Sequence, residues 1–172
     1  RDGLGLVEEA GESEILTRSL KGNDGVYFVP ALSGLGAPHW DPDARGLIAG
    51  ITQGTSRAHL ARAALEAIAF QTRDVLDAMG IELDVLRADG GASANGFLMQ
   101  FQADVARVPV EVPADAETTA LGAAALAGVG AGIWTLEDVE RAWDAQRRYE
   151  AELDADEAER LVGEWRRAVA RT

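Results

Sequence analysis

Hydrophobic and polar positions divide this chain into short apolar runs and longer amphipathic stretches. Val26-Tyr27-Phe28-Val29, closed by Pro30, predicts a strand, and Leu47 to Ile51 predicts a second. Residues 12–20 read as a short helix before them. The spacing of Leu60, Ala64, Leu65, Ile68, Val75, Leu76 and Met79 has a period near 3.6 and predicts a helix over 57–79. At 1.5 Å per residue it would run roughly 35 Å. Thr55 or Ser56 stands ready to cap it, and Gly80 to end it. A strand over 85–89 follows, then a helix over 95–106 that buries Phe97, Leu98, Phe101 and Val105.

The second half repeats the alternation. Residues 108–112 predict a strand near a sheet edge, because Pro109 cannot donate to a ladder. Residues 117–128 predict a helix rich in Ala and Gly, whose small side chains allow close approach to a sheet or another backbone. Thr135-Leu136-Glu137-Asp138 has the form of a capping box that starts another helix. The last helix spans about 156–170, with Leu161, Trp165 and Val169 on one face. Strands alternating with helices predict an α/β fold, a mixed sheet flanked by helices.

Composition narrows the function. A chain of 172 residues is long enough for one good-sized core. A net charge of −13 repels a phosphate backbone, so a nucleic-acid partner is not expected. A local N–H cradle can still hold a nucleotide in an acidic protein. With no cysteine and only His39 and His59, there is no disulfide framework and no expected zinc site. The most apolar window, 119–134, is too short to span a bilayer, no signal peptide is visible, and a cytoplasmic location is expected. The chain opens Arg1-Asp2-Gly3-Leu4 without a methionine, which reads as a fragment or a processed product.

The sharpest chemical signal is Asp89-Gly90-Gly91-Ala92-Ser93-Ala94-Asn95, a glycine turn between a predicted strand and a predicted helix. Paired glycines let the backbone approach a ligand, and the N–H groups of the following helix are expected to point at it. The run is neither a Walker A loop nor a Gly-x-Gly-x-x-Gly fingerprint. A tight corner with no ligand is the competing reading.

Three blocks settle the comparison with known families. They are Gly25 through Pro42, which contains Gly34-Leu35-Gly36-Ala37-Pro38-His39-Trp40-Asp41-Pro42; Ala44-Arg45-Gly46 through the 57–79 helix, which contains Arg62 to Asp74; and Asp89 to Asn95. Together they resemble the C-terminal domain of the FGGY carbohydrate kinases, and the Gly-Ala-Pro-His-Trp-Asp-Pro run resembles the glycerol kinase branch. The resemblance implies an actin-like, ribonuclease-H-like domain over 1–172, with 148–172 as its C-terminal helical tail. It implies ATP and Mg2+ as cofactors, ATP or ADP bound mainly to this domain, and glycerol bound to a preceding domain. It further implies a homo-oligomer when intact and phosphorylation of glycerol to glycerol 3-phosphate. Gly91 and Asn95 match the family's nucleotide-contacting glycine and asparagine. Gly90 is then a turn requirement, and Asp89 either an orienting carboxylate or a cap for helix 95–106. The family's catalytic aspartate, glycerol contacts and first phosphate loop lie upstream of Arg1, so this chain alone is expected to be inactive. A kinase for another polyol or ketose, and a non-catalytic nucleotide-binding module on the same scaffold, are the alternatives.

The remaining polar residues have plainer readings. Asp41, Asp43 and Gly46 fail the calcium-loop pattern at Arg45 and Thr52. His39 is expected to be structural, Trp40 to anchor its loop, and Arg45 to pair with Asp41 or Asp43. Glu66 is expected on a solvated helix face, and the acidic stretch 149–159 as a solvated approach to the last helix.

Overall fold

The computed structural model describes residues 5–114, 118–141 and 143–172. In chain order the elements are α1 (Glu12–Arg18), β1 (Tyr27–Val29), β2 (Leu47–Ala49), α2 (Arg57–Met79), β3 (Leu86–Arg87), a 3-10 turn (Gly91–Ala94), α3 (Gly96–Ala106), β4 (Val110–Pro113), α4 (Thr118–Gly130), α5 (Leu136–Arg141), β5 (Ala145–Tyr149) and α6 (Ala155–Val169). The opening Arg1-Asp2 and the predicted first residue of the Ala-rich helix, Glu117, lie outside the described residues.

Two small sheets form. β1 and β2 are antiparallel, pairing Phe28 with Ile48. β3, β4 and β5 make a mixed sheet, with β3 parallel and β5 antiparallel to β4. β4 is therefore central, against the expectation from Pro109. That proline precedes the strand, so its missing N–H costs no ladder bond, while its carbonyl accepts from the Leu86 N–H at 2.8 Å. β5 was not expected. Its Ala-Gln-Arg-Arg-Tyr sequence is exposed at every position but the last, so no apolar alternation marks it.

Phe70 is the centre of the core. Its ring stacks on Trp165 of α6 at 5.4 Å, meets the edge of Phe101 of α3 at 5.3 Å, and lies 6.0 Å from Tyr27 of β1. One side chain thus joins four elements. The buried face of α2 is not the predicted aliphatic stripe. It consists of Ala58, His59, Ala61, Ala63, Glu66, Ala67, Ala69, Phe70 and Asp74, while Ile68 and Met79 are exposed. Alanines let α1 and α3 approach α2 closely, which the bulkier stripe would prevent.

Both ends of α2 behave as expected. The Ser56 N–H donates to His59 Nδ1 at 3.1 Å, and Gly80 closes the helix at φ +61°. With Nδ1 accepting, the His59 proton sits on Nε2 and is donated to Asp24 at 3.1 Å. The Thr135 capping box forms: its hydroxyl accepts from the Asp138 N–H, and its own N–H donates to the Asp138 carboxylate. In α6, Leu161, Trp165 and Val169 are buried as predicted, and Asp154 caps the helix.

Three expectations fail around α4 and the 33–46 loop. α4 is mostly exposed, with only Ala125 and Gly128 buried; a Cβ on Gly128 would stand 2.3 Å from the Trp134 ring. Trp40 does not anchor its loop: it is 76% exposed and sits at φ +51°. Arg45 binds the carbonyls of Pro42 and Ala44 rather than either aspartate, while Asp41 accepts the N–H groups of Asp43 and Ala44.

Candidate functional site

The glycine turn lies at the C-terminal end of β3. Gly90 has φ +81°, a conformation glycine adopts without strain. Gly91 is different. Its φ lies outside the left-handed region, and a Cβ added there would meet no atom within 4 Å. Folding does not require glycine at that position, and the open space in front of it leaves the backbone accessible. The N–H groups of Gly91 and Ala92 have no acceptor among the described residues. Ser93 ties the turn internally, its hydroxyl donating to the Gly90 carbonyl at 2.7 Å.

Asn95 caps α3. Its Oδ1 accepts from the Leu98 N–H at 2.9 Å, and its Nδ2 has no acceptor among the described residues. This overturns the reading of Asp89 as the cap: Asp89 is exposed and makes no hydrogen bond through its side chain among the described residues. The turn inserted between Gly90 and Asn95 places Asp89 too early in the chain for that role.

The first turn of α3 is not open to a ligand. Glu14 of α1 accepts from the Gly96 N–H at 3.3 Å and from the Phe97 N–H at 3.2 Å. Arg18 holds that carboxylate at 2.8 Å. The expectation that helix N–H groups point at a phosphate therefore fails for α3, because an internal carboxylate already satisfies them. The donors left for a ligand are the Gly91 and Ala92 N–H groups and the Asn95 Nδ2. Behind the turn, Arg147 of β5 donates to the Ser93 carbonyl at 3.4 Å. Sequence reasoning missed Glu14 and Arg147, which join the turn only through tertiary packing and carry no local signal.

Two other polar clusters are structural. Glu66 is 2% exposed, not solvated. It binds Arg62 at 2.7 Å and Asn23 at 3.0 Å, and burial pushes its carboxyl above the ordinary range while Arg62 and Asn23 oppose that shift. His39 lies 3.3 Å from Asp74, which is buried and also accepts from Trp165 and Arg166. A cleft of about 360 Å³ opens beside the first of these clusters, between the 21–25 turn, α2, α3 and α6, and no residue of 89–95 lines it. Among the described residues no three His, Cys, Asp or Glu side chains gather as a metal site. No described helix is long and apolar enough to cross a membrane.

The sequence profile of the FGGY family of carbohydrate kinases, C-terminal domain, matches residues 8–131. The chain belongs to that family. Its fold is the family's actin-like, ribonuclease-H-like α/β architecture. It is 56% identical over 99% of its length to a glycerol kinase of Nitratidesulfovibrio vulgaris, and 55% identical over its full length to one of Pseudothermotoga lettingae. It covers 35% and 36% of those proteins, about a third of their length. The structure of Plasmodium falciparum glycerol kinase with ADP superposes with a TM-score of 0.87 at 40% identity, over 97% of this chain and 34% of that one. A xylulose kinase from Lactobacillus acidophilus shares the fold, with a TM-score of 0.81 at 24% identity over 97% of this chain and 35% of that one.

Proposed function

We propose that the protein carrying this chain transfers the γ-phosphoryl group of ATP to glycerol, and that this chain supplies part of the nucleotide site. The observation that carries the reading is identity above half, along essentially the whole chain, with proteins named glycerol kinase. Nucleotide contact is assigned to Gly91 and Asn95, with Gly90 shaping the turn and Asp89 at its exposed edge. Gly91 supports this because neither its backbone angle nor its surroundings demand a glycine. Asn95 supports it because half of its amide is used as a cap and half is left to donate.

The nucleotide would enter as its Mg2+ complex. The described residues of this chain offer no cluster to hold the ion. What these residues do is bind and orient the nucleotide, so that its terminal phosphoryl group faces the acceptor held by the rest of the protein. Proton removal from the acceptor hydroxyl is assigned to a group outside this chain, and a cytoplasmic location suits a reaction that consumes ATP.

The test is ADP release by the full-length protein with glycerol, with a ketose and with no acceptor, beside the 172-residue chain alone. Glycerol-dependent release by the full-length protein only is the expected result. Ketose-dependent release would reassign the acceptor, and no release with any acceptor would leave a nucleotide-binding module.

A further inference from the structure

We infer that Glu14 is a positioning residue for the nucleotide segment: by holding the first turn of α3, it fixes the direction in which the Asn95 amide donates. The inference rests on the reading of residues 89–95 as part of the nucleotide site. Glu14 is 82 residues from Gly96 in sequence, and its two carboxylate oxygens take one N–H each from Gly96 and Phe97. Asn95 immediately precedes those two donors and caps the next N–H, that of Leu98. Three consecutive N–H groups are thus satisfied by two side chains, and the free Nδ2 of Asn95 is aimed by that arrangement.

The carboxylate has little room to wander. Arg18 binds it from the same helix, and a Cβ on Gly96 would stand 3.2 Å from both Glu14 Oε1 and Arg18 Nη2, and 3.6 Å from the Tyr149 hydroxyl. Residue 96 is therefore pressed against the charge that holds it. A carboxylate at a helix N-terminus is favoured by the helix dipole as well as by its hydrogen bonds. Without it, the first turn of α3 would recruit water, and the cap that Asn95 makes to the Leu98 N–H would loosen.

The test uses the full-length protein with Glu14→Ala, Glu14→Gln and Asn95→Ala. Glu14→Ala is expected to raise the KM for ATP about tenfold, with kcat and the KM for the acceptor changed by less than about twofold. Glu14→Gln keeps an acceptor oxygen and the side-chain shape, so it should recover part of the loss. Hydrogen exchange at the Gly96 and Phe97 amides should quicken in Glu14→Ala, a readout independent of turnover. An unchanged KM for ATP in Glu14→Ala, beside a raised one in Asn95→Ala, would overturn the inference alone. An unchanged KM in both would overturn the nucleotide reading and this inference with it. A fall in melting temperature with both substrates' KM values rising together in Glu14→Ala, and no recovery in Glu14→Gln, would reduce Glu14 to a folding role and likewise overturn it.

Discussion

Trp165 donates its indole N–H to the Asp74 carboxylate across 2.7 Å, and both side chains are buried. The same carboxylate accepts from Arg166 at 2.9 Å and lies 3.3 Å from His39. One charge on α2 thereby ties α6 and the 33–46 loop to the core. Replacing Asp74 with alanine leaves a buried indole N–H unsatisfied and a guanidinium short of a partner. The expected cost is about 3 kcal/mol. For a chain of this size that is a fall of about 6–12 °C in melting temperature, read by calorimetry. A shift below about 2 °C would mean that water replaces the carboxylate without penalty.

Gly90 and Gly91 should respond oppositely to substitution. Gly90→Ala forces a side chain into φ +81° and should cost about 1 kcal/mol of stability. A Cβ at Gly91 meets nothing within 4 Å, so Gly91→Val should leave the melting temperature nearly unchanged. In the full-length protein it should weaken nucleotide binding by at least about tenfold, about 1.4 kcal/mol, as read by calorimetric titration with ADP. Undiminished affinity in Gly91→Val would remove Gly91 from the site.

Glu66 gives the chain a pH dependence of definite sign. Burial raises its carboxyl above the ordinary glutamate range. The folded chain then keeps a proton that the unfolded chain has released. This contribution to stability is complete below the ordinary glutamate value and is lost as pH rises through the folded one. Melting curves of the wild type and Glu66→Gln between about pH 4 and pH 8 should differ most in that window, with the variant flatter. Equal slopes would assign the dependence to another group.

The exposed apolar residues of the α4–α5 segment should make the 172-residue chain self-associate. Leu121, Leu126, Ile133, Trp134 and Leu136, on α4, at the start of α5 and in the turn between, are 63%, 67%, 70%, 47% and 62% exposed, a large apolar area for one short segment. Light scattering should show species larger than a monomer, and Leu126→Glu should reduce them. A monodisperse monomer in the unsubstituted chain would contradict this.

Elements with strong local signals were legible in the sequence. α3, α6 and both capping arrangements follow from patterns within a single stretch, and the Gly90–Gly91 turn lies where the glycines mark it. What failed depends on partners far along the chain. The buried face of α2 is built from alanines, His59, Phe70 and two carboxylates, Glu66 and Asp74, whose burial is set by Asn23, Arg62, Trp165 and Arg166 rather than by their own hydropathy. β5 forms because β4 offers it a ladder, not because its own residues alternate. At the candidate site, Gly91 and Asn95 are proposed from the family resemblance, while the closing of α3's first turn by Glu14 had no signal in the sequence, since nothing near either residue announces the other.

The stacking of Phe70 on Trp165 has a consequence for synthesis. The two rings are 95 positions apart, so α6 leaves the ribosome well after α2. Until it emerges, Phe70 has one bare face, and the Asp74 carboxylate awaits the indole that will cover it. Completion of the core is thus delayed until α6 has emerged, and a nascent chain stopped before residue 155 would present a quality-control system with an unfinished interior.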